Sequence, residues 1–253
     1  DFKPIYIFII ATCFYSCGID KYIPEGERLY TGSSIKIASD SLIEGEKYLM
    51  AELQTALRPE PNSTFLGMRP GLHYYYKTQK EKPGFINRWL YKQFGEKPVY
   101  QSDVQTNEVE EVLLNQLENN GFLYSSASSN FEEKEQEASV TYNLKVPKPY
   151  RMKKYRIDSF PEPIDQPIKD AVSISELITG KRFDLGNMKL ERQHIDAYLK
   201  ERGYFNFNSD FLIFEADTNQ YANKRFDLFL RLKKDVPKRA LLPYKLSKVN
   251  VFP

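Results

Sequence analysis

The sequence predicts an α+β protein with two tandem units, each in the order strand, helix, helix, strand, strand. The main observation is a helix that ends in a glycine followed by an aromatic residue. This motif occurs at Gly121-Phe122 and again, 82 residues later, at Gly203-Tyr204. Two stretches of alternating apolar and polar residues follow each glycine, as in half-buried strands. A further strand and helix precede each motif, so the sequence indicates one fold used twice.

The first predicted unit covers residues 28–148 and begins with a strand over 29–38. The helix after it is marked by apolar residues at helical spacing, namely Leu42, Leu49, Leu53, Ala56 and Leu57. The second helix ends at Gly121, which we expect in the left-handed conformation that closes many helices. Its apolar stripe contains Val109, Val112, Leu113 and Leu117. The closing strands are predicted over 122–131 and 138–146.

The second predicted unit covers residues 149–236. Its first strand is expected over 155–160, followed by a shorter helix with Ile164, Ile168 and Val172 on one side. The second helix carries Ile195, Tyr198 and Leu199 and ends at Gly203. The closing strands are predicted over 204–216 and 225–233.

Residues 237–253 are predicted to form a linker and the first strand of a third unit. Pro243-Tyr244 repeats Pro149-Tyr150, and a basic residue, an apolar residue and an alternating stretch follow in both places. A lone strand cannot bury its apolar side, so we expect a further unit after Pro253.

The amino-terminal segment has the pattern of an export signal. Residues 5–16 contain an apolar run that is too short for a membrane-spanning helix, which needs roughly 20 residues. Ser16 supplies the small residue that lipoprotein signals place before the acylated cysteine. We therefore predict a signal peptide over 1–16, acylation of Cys17 and a lipidated tether over 17–27. Because Phe14 and Tyr15 fit this pattern less well, an ordinary apolar leader with an incidental cysteine is the alternative.

Composition excludes several classes of function. The 36 basic and 34 acidic residues nearly balance, which argues against a nucleic-acid partner. The only cysteines, Cys13 and Cys17, lie in or beside the leader, so no disulfide or thiolate metal site is expected in the folded part. The two histidines, His73 and His194, lie outside any nucleophile, phosphate-loop or metal-ligand motif. We therefore expect no enzymatic activity, no metal and no cofactor.

A long insertion over residues 58–100 separates the two helices of the first unit. It contains Tyr74, Tyr75 and Tyr76 and a short predicted helix around Trp89. Two interpretations stay open. The aromatic residues form a small additional core, or they contact a membrane or a partner, as interfacial Trp and Tyr do.

The repeat resembles the POTRA domains that precede the β-barrels of outer-membrane assembly proteins of the BamA and TamA type. The stretch Lys21 to Glu27, which follows Cys17, is similar to the start of the lipoprotein variant TamL. Further motifs that carry the resemblance are residues 95–100, Gly121-Phe122, residues 180–183 and Gly203-Tyr204.

This resemblance implies a periplasmic POTRA region, anchored to the outer membrane by a lipid at Cys17. It implies unfolded outer-membrane proteins as substrates, a following β-barrel and a TamB-like partner that spans the inner membrane. Such a region would deliver its substrates to the barrel.

Strand pairing is the expected mode of binding, because the backbone of an edge strand can pair with an extended chain whatever its side chains. In the second unit we expect this edge within 204–216. The candidate residues are Tyr204, Phe205, Phe207, Phe211 and Ile213. Packing in the core is the alternative explanation of their apolar character.

A second function stays open on the sequence. An envelope lipoprotein could bind a glycan or a protein through the aromatic insertion. The residues beyond Pro253 would distinguish the two functions, because an assembly factor must continue into a further POTRA unit and barrel strands.

Overall fold

The computed structural model describes residues 19–80, 82–245, 247–249 and 251. The chain forms two compact units. The described residues of unit 1 lie in 19–38, 45–114 and 126–145, and those of unit 2 lie in 39–44, 115–125 and 146–251. Within the described residues there are six α-helices and two three-stranded sheets. The predicted α+β class, with two successive strand, helix, helix, strand, strand arrangements, is confirmed.

The first arrangement contains two additional helices in its insertion. Its elements are β1 (Leu29–Ser39), α1 (Glu46–Gln54), α2 (Pro70–Thr78), α3 (Phe85–Phe94), α4 (Thr106–Asn119), β2 (Ser126–Lys134) and β3 (Glu137–Val146). The strand order is β1-β3-β2, and β2 pairs with β3 antiparallel. Two contacts join β1 and β3 at the same sequence separation of 107 residues, Thr31 with Ala138 and Ser34 with Thr141. Because this separation is constant, β1 and β3 run parallel.

The core of unit 1 follows the alternation of β3. Ala138, Val140, Tyr142 and Leu144 are all about 1% exposed. The helices contribute the buried residues Leu49, Leu53, Val109 and Leu113. Leu42 was predicted on the apolar stripe of the first helix, but its side chain is 92% exposed because α1 begins only at Glu46.

The second arrangement has no insertion. Its elements are β4 (Arg151–Ile157), α5 (Asp165–Ser173), α6 (Leu185–Lys200), β5 (Leu212–Asp217) and β6 (Arg225–Leu232). The strand order is β4-β6-β5, with β4 parallel and β5 antiparallel to β6. The two sheets therefore share one strand order.

The main core of unit 2 lies between its helices and its sheet. One cluster of buried residues comprises Phe160, Ile164, Ile168, Ala171, Ile195, Leu199, Tyr204, Phe207, Leu212 and Leu230. A second cluster comprises Met152, Met188, Phe226 and Leu228. The period-two pattern of β6 explains this burial, because Phe226, Leu228 and Leu230 alternate along the strand.

The two glycines that define the repeat have the predicted conformation. Gly121 has φ of 83° and Gly203 has φ of 94°. The Gly121 carbonyl accepts a hydrogen bond from the Tyr150 N–H at 2.9 Å, and the Gly203 carbonyl accepts one from the Tyr244 N–H at 2.8 Å. The repeat seen in the sequence thus extends to an individual backbone hydrogen bond.

Several predicted boundaries differ from the structure. The strand after Gly121 begins at Ser126, and the strand after Gly203 begins at Leu212. The first strand of the second unit is Arg151–Ile157 rather than 155–160. α6 begins at Leu185, ten residues before Ile195, because the Asp184 carboxylate accepts a hydrogen bond from the Asn187 N–H at 3.0 Å and caps the helix.

The predicted start of a third unit stays a prediction. The described residues between 242 and 251 contain no strand.

A candidate strand-binding edge

β5 is the outer strand of the second sheet. It pairs with β6 on one side, and no strand of the described residues lies on its other side. A strand in this position directs half of its backbone N–H and C=O groups away from the sheet. β5 is therefore a template for an additional strand.

The outward-facing residues of β5 can be derived from one hydrogen bond. The Lys233 N–H donates to the Phe211 carbonyl at 2.9 Å, so the backbone groups of Phe211 face β6. Because the direction alternates along a strand, Ile213 and Glu215 also face β6. The backbone groups of Leu212, Phe214 and Ala216 consequently point to the open edge.

The Leu212 carbonyl, which points to the open edge, already has a partner. Arg192 of α6 donates from Nη1 to the Leu212 carbonyl at 3.2 Å. Within the described residues, no backbone group outside the sheet bonds to Phe214 or Ala216. Phe214 and Ala216 are therefore the residues of β5 whose outward N–H and C=O groups are both open to an incoming chain.

A groove of about 360 Å³ lies between β5 and α6. Leu185, Met188 and Arg192 line it from the helix, and Phe214 and Ala216 line it from the strand. A strand added at β5 would direct alternate side chains towards this groove and the others towards solvent. The site thus favours a chain in which apolar and polar residues alternate.

The opposite edge of this sheet is partly covered. The Met152 N–H of β4 donates to the Lys181 carbonyl at 2.9 Å, and the Gly180 N–H donates to the Met152 carbonyl at 2.7 Å. The segment 180–183 before α6 therefore occupies the start of the β4 edge.

The first sheet has the same arrangement. The Tyr30 N–H of β1 donates to the Val99 carbonyl, and the Gln101 N–H donates to the Arg28 carbonyl, both at 2.8 Å. Residues 95–100 and 180–183 are two of the motifs that carry the resemblance in the sequence. Both motifs contribute to covering the edge of the first strand of their unit.

The remaining outer strand, β2, is less suited to pairing. It ends in Glu132, Glu133 and Lys134, and all three are exposed. Charged side chains on an edge strand oppose pairing with another chain. β5 is more apolar than β2 and is therefore the better candidate for pairing.

The five predicted edge residues occupy different environments. Tyr204 and Phe207 are 3% and 2% exposed and belong to the core, so the predicted strand over 204–216 is reduced to β5. Phe211 packs against the same core from the turn before β5, and Phe205 is 64% exposed in the preceding loop. Only Ile213 lies within β5, where it is 37% exposed.

The aromatic residues of the insertion also separate into two groups. Tyr76 is buried in a small cluster with Ile19, Leu29 and Leu72, and Tyr75 packs against it. The Tyr76 hydroxyl is 2.8 Å from that of Tyr100. Tyr75 and Tyr76 therefore belong to a small additional core.

The other two predicted contact residues are more accessible. Tyr74 is half-buried, and its ring meets the edge of His73 with the centroids 5.6 Å apart. Trp89 is 54% exposed on α3.

A buried carboxylate on α6 was not predicted from the sequence. Glu191 is 5% exposed and lines a cavity of about 560 Å³ with Met152 and Leu177. Burial raises the pKa of Glu191, and hydrogen bonds and charge from Ser175, His194 and Tyr155 only partly offset this increase. The signal was present, because Glu191 precedes Ile195 and Leu199 on one side of the helix at four-residue spacing.

His194 lies beside this carboxylate, with Nδ1 3.7 Å from the Glu191 Oε2. The His194 side chain is 37% exposed.

The lipidation prediction at Cys17 lies outside the described residues. No described helix combines the length and apolar character needed to cross a bilayer. Among the described residues, no three His, Cys, Asp or Glu side chains form a group that could hold a metal ion.

Fold and edge together define a tandem α+β protein with one strand order used twice and an open, apolar edge strand in unit 2. No family model matches the sequence, and no curated protein matches it.

Similar solved structures include POTRA domains. POTRA3–5 of BamA from Haemophilus influenzae matches with 15% identity and a TM-score of 0.41, over 82% of this chain and 67% of that one. POTRA1–2 of Omp85 from Anabaena matches with 14% identity and a TM-score of 0.30, over 82% of this chain and 96% of that one. BamA from Haemophilus ducreyi lacking POTRA domains 1–3 matches with 11% identity and a TM-score of 0.38, over 79% of this chain and 28% of that one. All three TM-scores are below 0.5. The description of the fold therefore depends on the strand order observed in this chain.

Proposed function

We propose that this chain is the periplasmic POTRA region of a TamL-like outer-membrane protein translocation and assembly factor. It holds unfolded substrate proteins by strand pairing at β5 and delivers them to a following β-barrel. The observation that carries the proposal is the open backbone edge at Phe214 and Ala216 beside an apolar groove.

The alternation of barrel strands fits this edge. Strands of outer-membrane barrels alternate between residues that face lipid and residues that face the barrel interior. When such a strand pairs with β5, its apolar residues enter the groove beside Leu185 and Met188, and its polar residues face solvent. Because the hydrogen bonds are made by the backbone, many different substrates fit the same edge.

The number of available backbone groups sets the strength of binding. Phe214 and Ala216 offer two N–H and two C=O groups, while Arg192 occupies the carbonyl of Leu212. Four hydrogen bonds of about 1 kcal/mol each give about 4 kcal/mol, and the entropy lost on association offsets much of this, so the backbone bonds alone bind a substrate weakly. Weak binding suits a site that holds a substrate and then releases it.

The lipid anchor and the neighbouring components belong to the same proposal. Several acyl chains on Cys17 would hold the region at the outer membrane, whereas one chain binds only marginally. A TamB-like protein is the proposed partner towards the inner membrane. A third unit after unit 2 is supported by the Tyr244 to Gly203 hydrogen bond, which repeats that of Tyr150 to Gly121.

Proline at position 216 tests the strand-pairing proposal. Ala216→Pro removes an outward N–H and leaves the bonds between β5 and β6 in place, because edge strands accept proline where the N–H faces away from the sheet. Ala216→Ser is the matched control, since it changes the side chain at the same position and keeps the N–H.

The probe is a synthetic ten-residue peptide in which valine and tyrosine alternate with threonine and serine, titrated into the ¹⁵N-labelled chain. We expect it to shift the amide signals of Phe214 and Ala216 and to bind Ala216→Pro at least about fivefold more weakly than Ala216→Ser. Unchanged core signals of Leu199 and Leu230 verify folding. Equal affinity for both variants contradicts the proposal. Shifts confined to residues 70–94 favour the alternative, a glycan- or protein-binding module.

A further inference from the structure

α3 presents an exposed apolar face. Phe85, Ile86 and Trp89 are 77%, 70% and 54% exposed, and no residue of this ten-residue helix is buried. Positions 85 and 89 are one helical turn apart and 86 is adjacent to them, so the three side chains share one side of the helix. A cluster of this kind on a surface helix marks an interaction site more often than a scattered apolar residue does.

The rest of unit 1 fixes the direction of this face. Tyr91, on the other side of α3, contacts Tyr75 of α2 with ring centroids 6.0 Å apart. The Gly95 N–H closes the helix by donating to the Tyr91 carbonyl at 2.7 Å. A Cβ atom at Gly71 of α2 would lie 2.9 Å from the Phe94 carbonyl, so the two helices approach closely there. α3 is therefore held by one side and open on the other.

The sequence that contains α3 is rich in positive charge. Residues 70–95 contain five basic residues and one acidic residue, whereas the whole chain has a net charge of only +2. Within α3, Arg88 and Lys92 are exposed and there is no Asp or Glu. At helical spacing these two side chains lie beside Phe85 and Trp89 on the wheel. The apolar face is thus flanked by positive charge.

We propose that α3 is a membrane-interface helix that lies on an anionic phospholipid surface with Phe85, Ile86 and Trp89 inserted at the headgroup level. Helices with aromatic and aliphatic residues on one face and Lys or Arg beside them bind in this plane. Tryptophan prefers the interfacial region. Anionic lipids attract each nearby basic residue. Ten residues are too few to cross a bilayer, which requires roughly 20. The inference is independent of strand pairing at β5.

Trp89 provides a site-specific probe because it is the only tryptophan of the chain. The full chain is mixed with vesicles of phosphatidylethanolamine and phosphatidylglycerol, and separately with vesicles of phosphatidylcholine alone. With the anionic vesicles we expect a blue shift of Trp89 emission and quenching by lipids brominated on their acyl chains. Phosphatidylcholine vesicles are expected to give a much weaker response.

Two double variants separate the local face from overall charge. Arg88→Gln with Lys92→Gln is expected to lower the partition coefficient by about thirtyfold, from the usual contribution of two basic residues near an anionic surface. Lys234→Gln with Lys238→Gln removes the same charge from exposed positions in unit 2 and is expected to leave binding nearly unchanged. Equal circular dichroism spectra verify that both variants are folded.

Three results would overturn the proposal. Trp89 emission does not respond to anionic vesicles; or emission responds without quenching by brominated lipids; or both double variants bind equally, which would assign binding to net charge or to the apolar segment 1–16. None of these results bears on peptide binding at β5, so failure here is distinguishable from failure of the proposed function.

Discussion

Replacing Gly203 with alanine is expected to destabilise unit 2 and to weaken the contact between Gly203 and Tyr244. Gly203 has φ of 94°, and a Cβ atom there would lie 2.5 Å from the Tyr244 carbonyl oxygen. Tyr244 must move to relieve this overlap. The movement breaks the hydrogen bond from the Tyr244 N–H to the Gly203 carbonyl, which is 2.8 Å long.

The expected loss in the free energy of unfolding has two parts. A left-handed conformation costs an alanine about 1–2 kcal/mol relative to glycine. The lost hydrogen bond adds about 1 kcal/mol. Gly180→Ala is the matched control, because Gly180 has φ of 84° and a Cβ atom there meets nothing within 4 Å. The difference between the two variants, about 1 kcal/mol, isolates the contact with Tyr244.

Native-state hydrogen exchange measures both quantities. The slowest-exchanging amides of the unit 2 core report the free energy of unfolding, and the amide of Tyr244 reports the local contact. We expect Gly203→Ala to lose more stability than Gly180→Ala and to accelerate exchange at Tyr244. Equal losses, with Tyr244 as protected as in the parent chain, would refute the reasoning.

Two carboxylates are expected to affect stability with opposite dependence on pH. Burial raises the pKa of Glu191, so the protonated form that suits its buried site is lost as pH rises and the folded state is then destabilised. Thermal unfolding of Glu191→Gln should therefore show a higher Tm than the parent at pH 8 and a much smaller difference at pH 4. Glu176→Gln, at an exposed neighbouring position, should leave the Tm unchanged at both pH values. Burial would also raise the pKa of Glu96, but hydrogen bonds from Ser63 and Asn62 lower it overall, so the stabilisation by Glu96 is present at neutral pH and is lost as pH falls through its lowered value. Urea unfolding followed by Trp89 fluorescence should therefore find Glu96→Gln less stable than the parent at pH 7 and nearly equal at pH 3, and an unchanged gap between the two pH values would argue against these hydrogen bonds.

The repeat was predictable because it depends on local physics. Gly121 and Gly203 follow helices in which apolar residues recur at helical spacing, and only glycine adopts the required conformation without strain. β3 and β6 were equally clear, because one of their faces is buried and period two is visible in the sequence. These features need no knowledge of which strand lies at an edge.

The edge itself was harder to predict. Tyr204 and Phe207 resemble edge residues in their apolar character, but they fill the core before β5 begins. Whether an aromatic residue lies in a core or beside an open edge depends on strand order, and strand order is not a local property. The groove between β5 and α6 depends in the same way on where the helix packs.

The helix α2 was missed for a different reason. Its aromatic run hid the spacing of Leu72 and Tyr76, which are four residues apart and buried. Pro70 at the first position was the available signal, because proline is favoured at the start of helices. The motifs at 95–100 and 180–183 contribute to the family resemblance in the sequence, but their role in covering part of β1 and β4 depends on the sheet topology.

The most direct test of the central claim is amide hydrogen exchange along β5 with and without the alternating ten-residue peptide. Ile213 and Glu215 are already bonded to β6, so their exchange is expected to change little. Strand pairing predicts that saturating peptide slows exchange at Phe214 and Ala216. Unchanged exchange at both positions while the peptide is bound would contradict strand pairing at this edge.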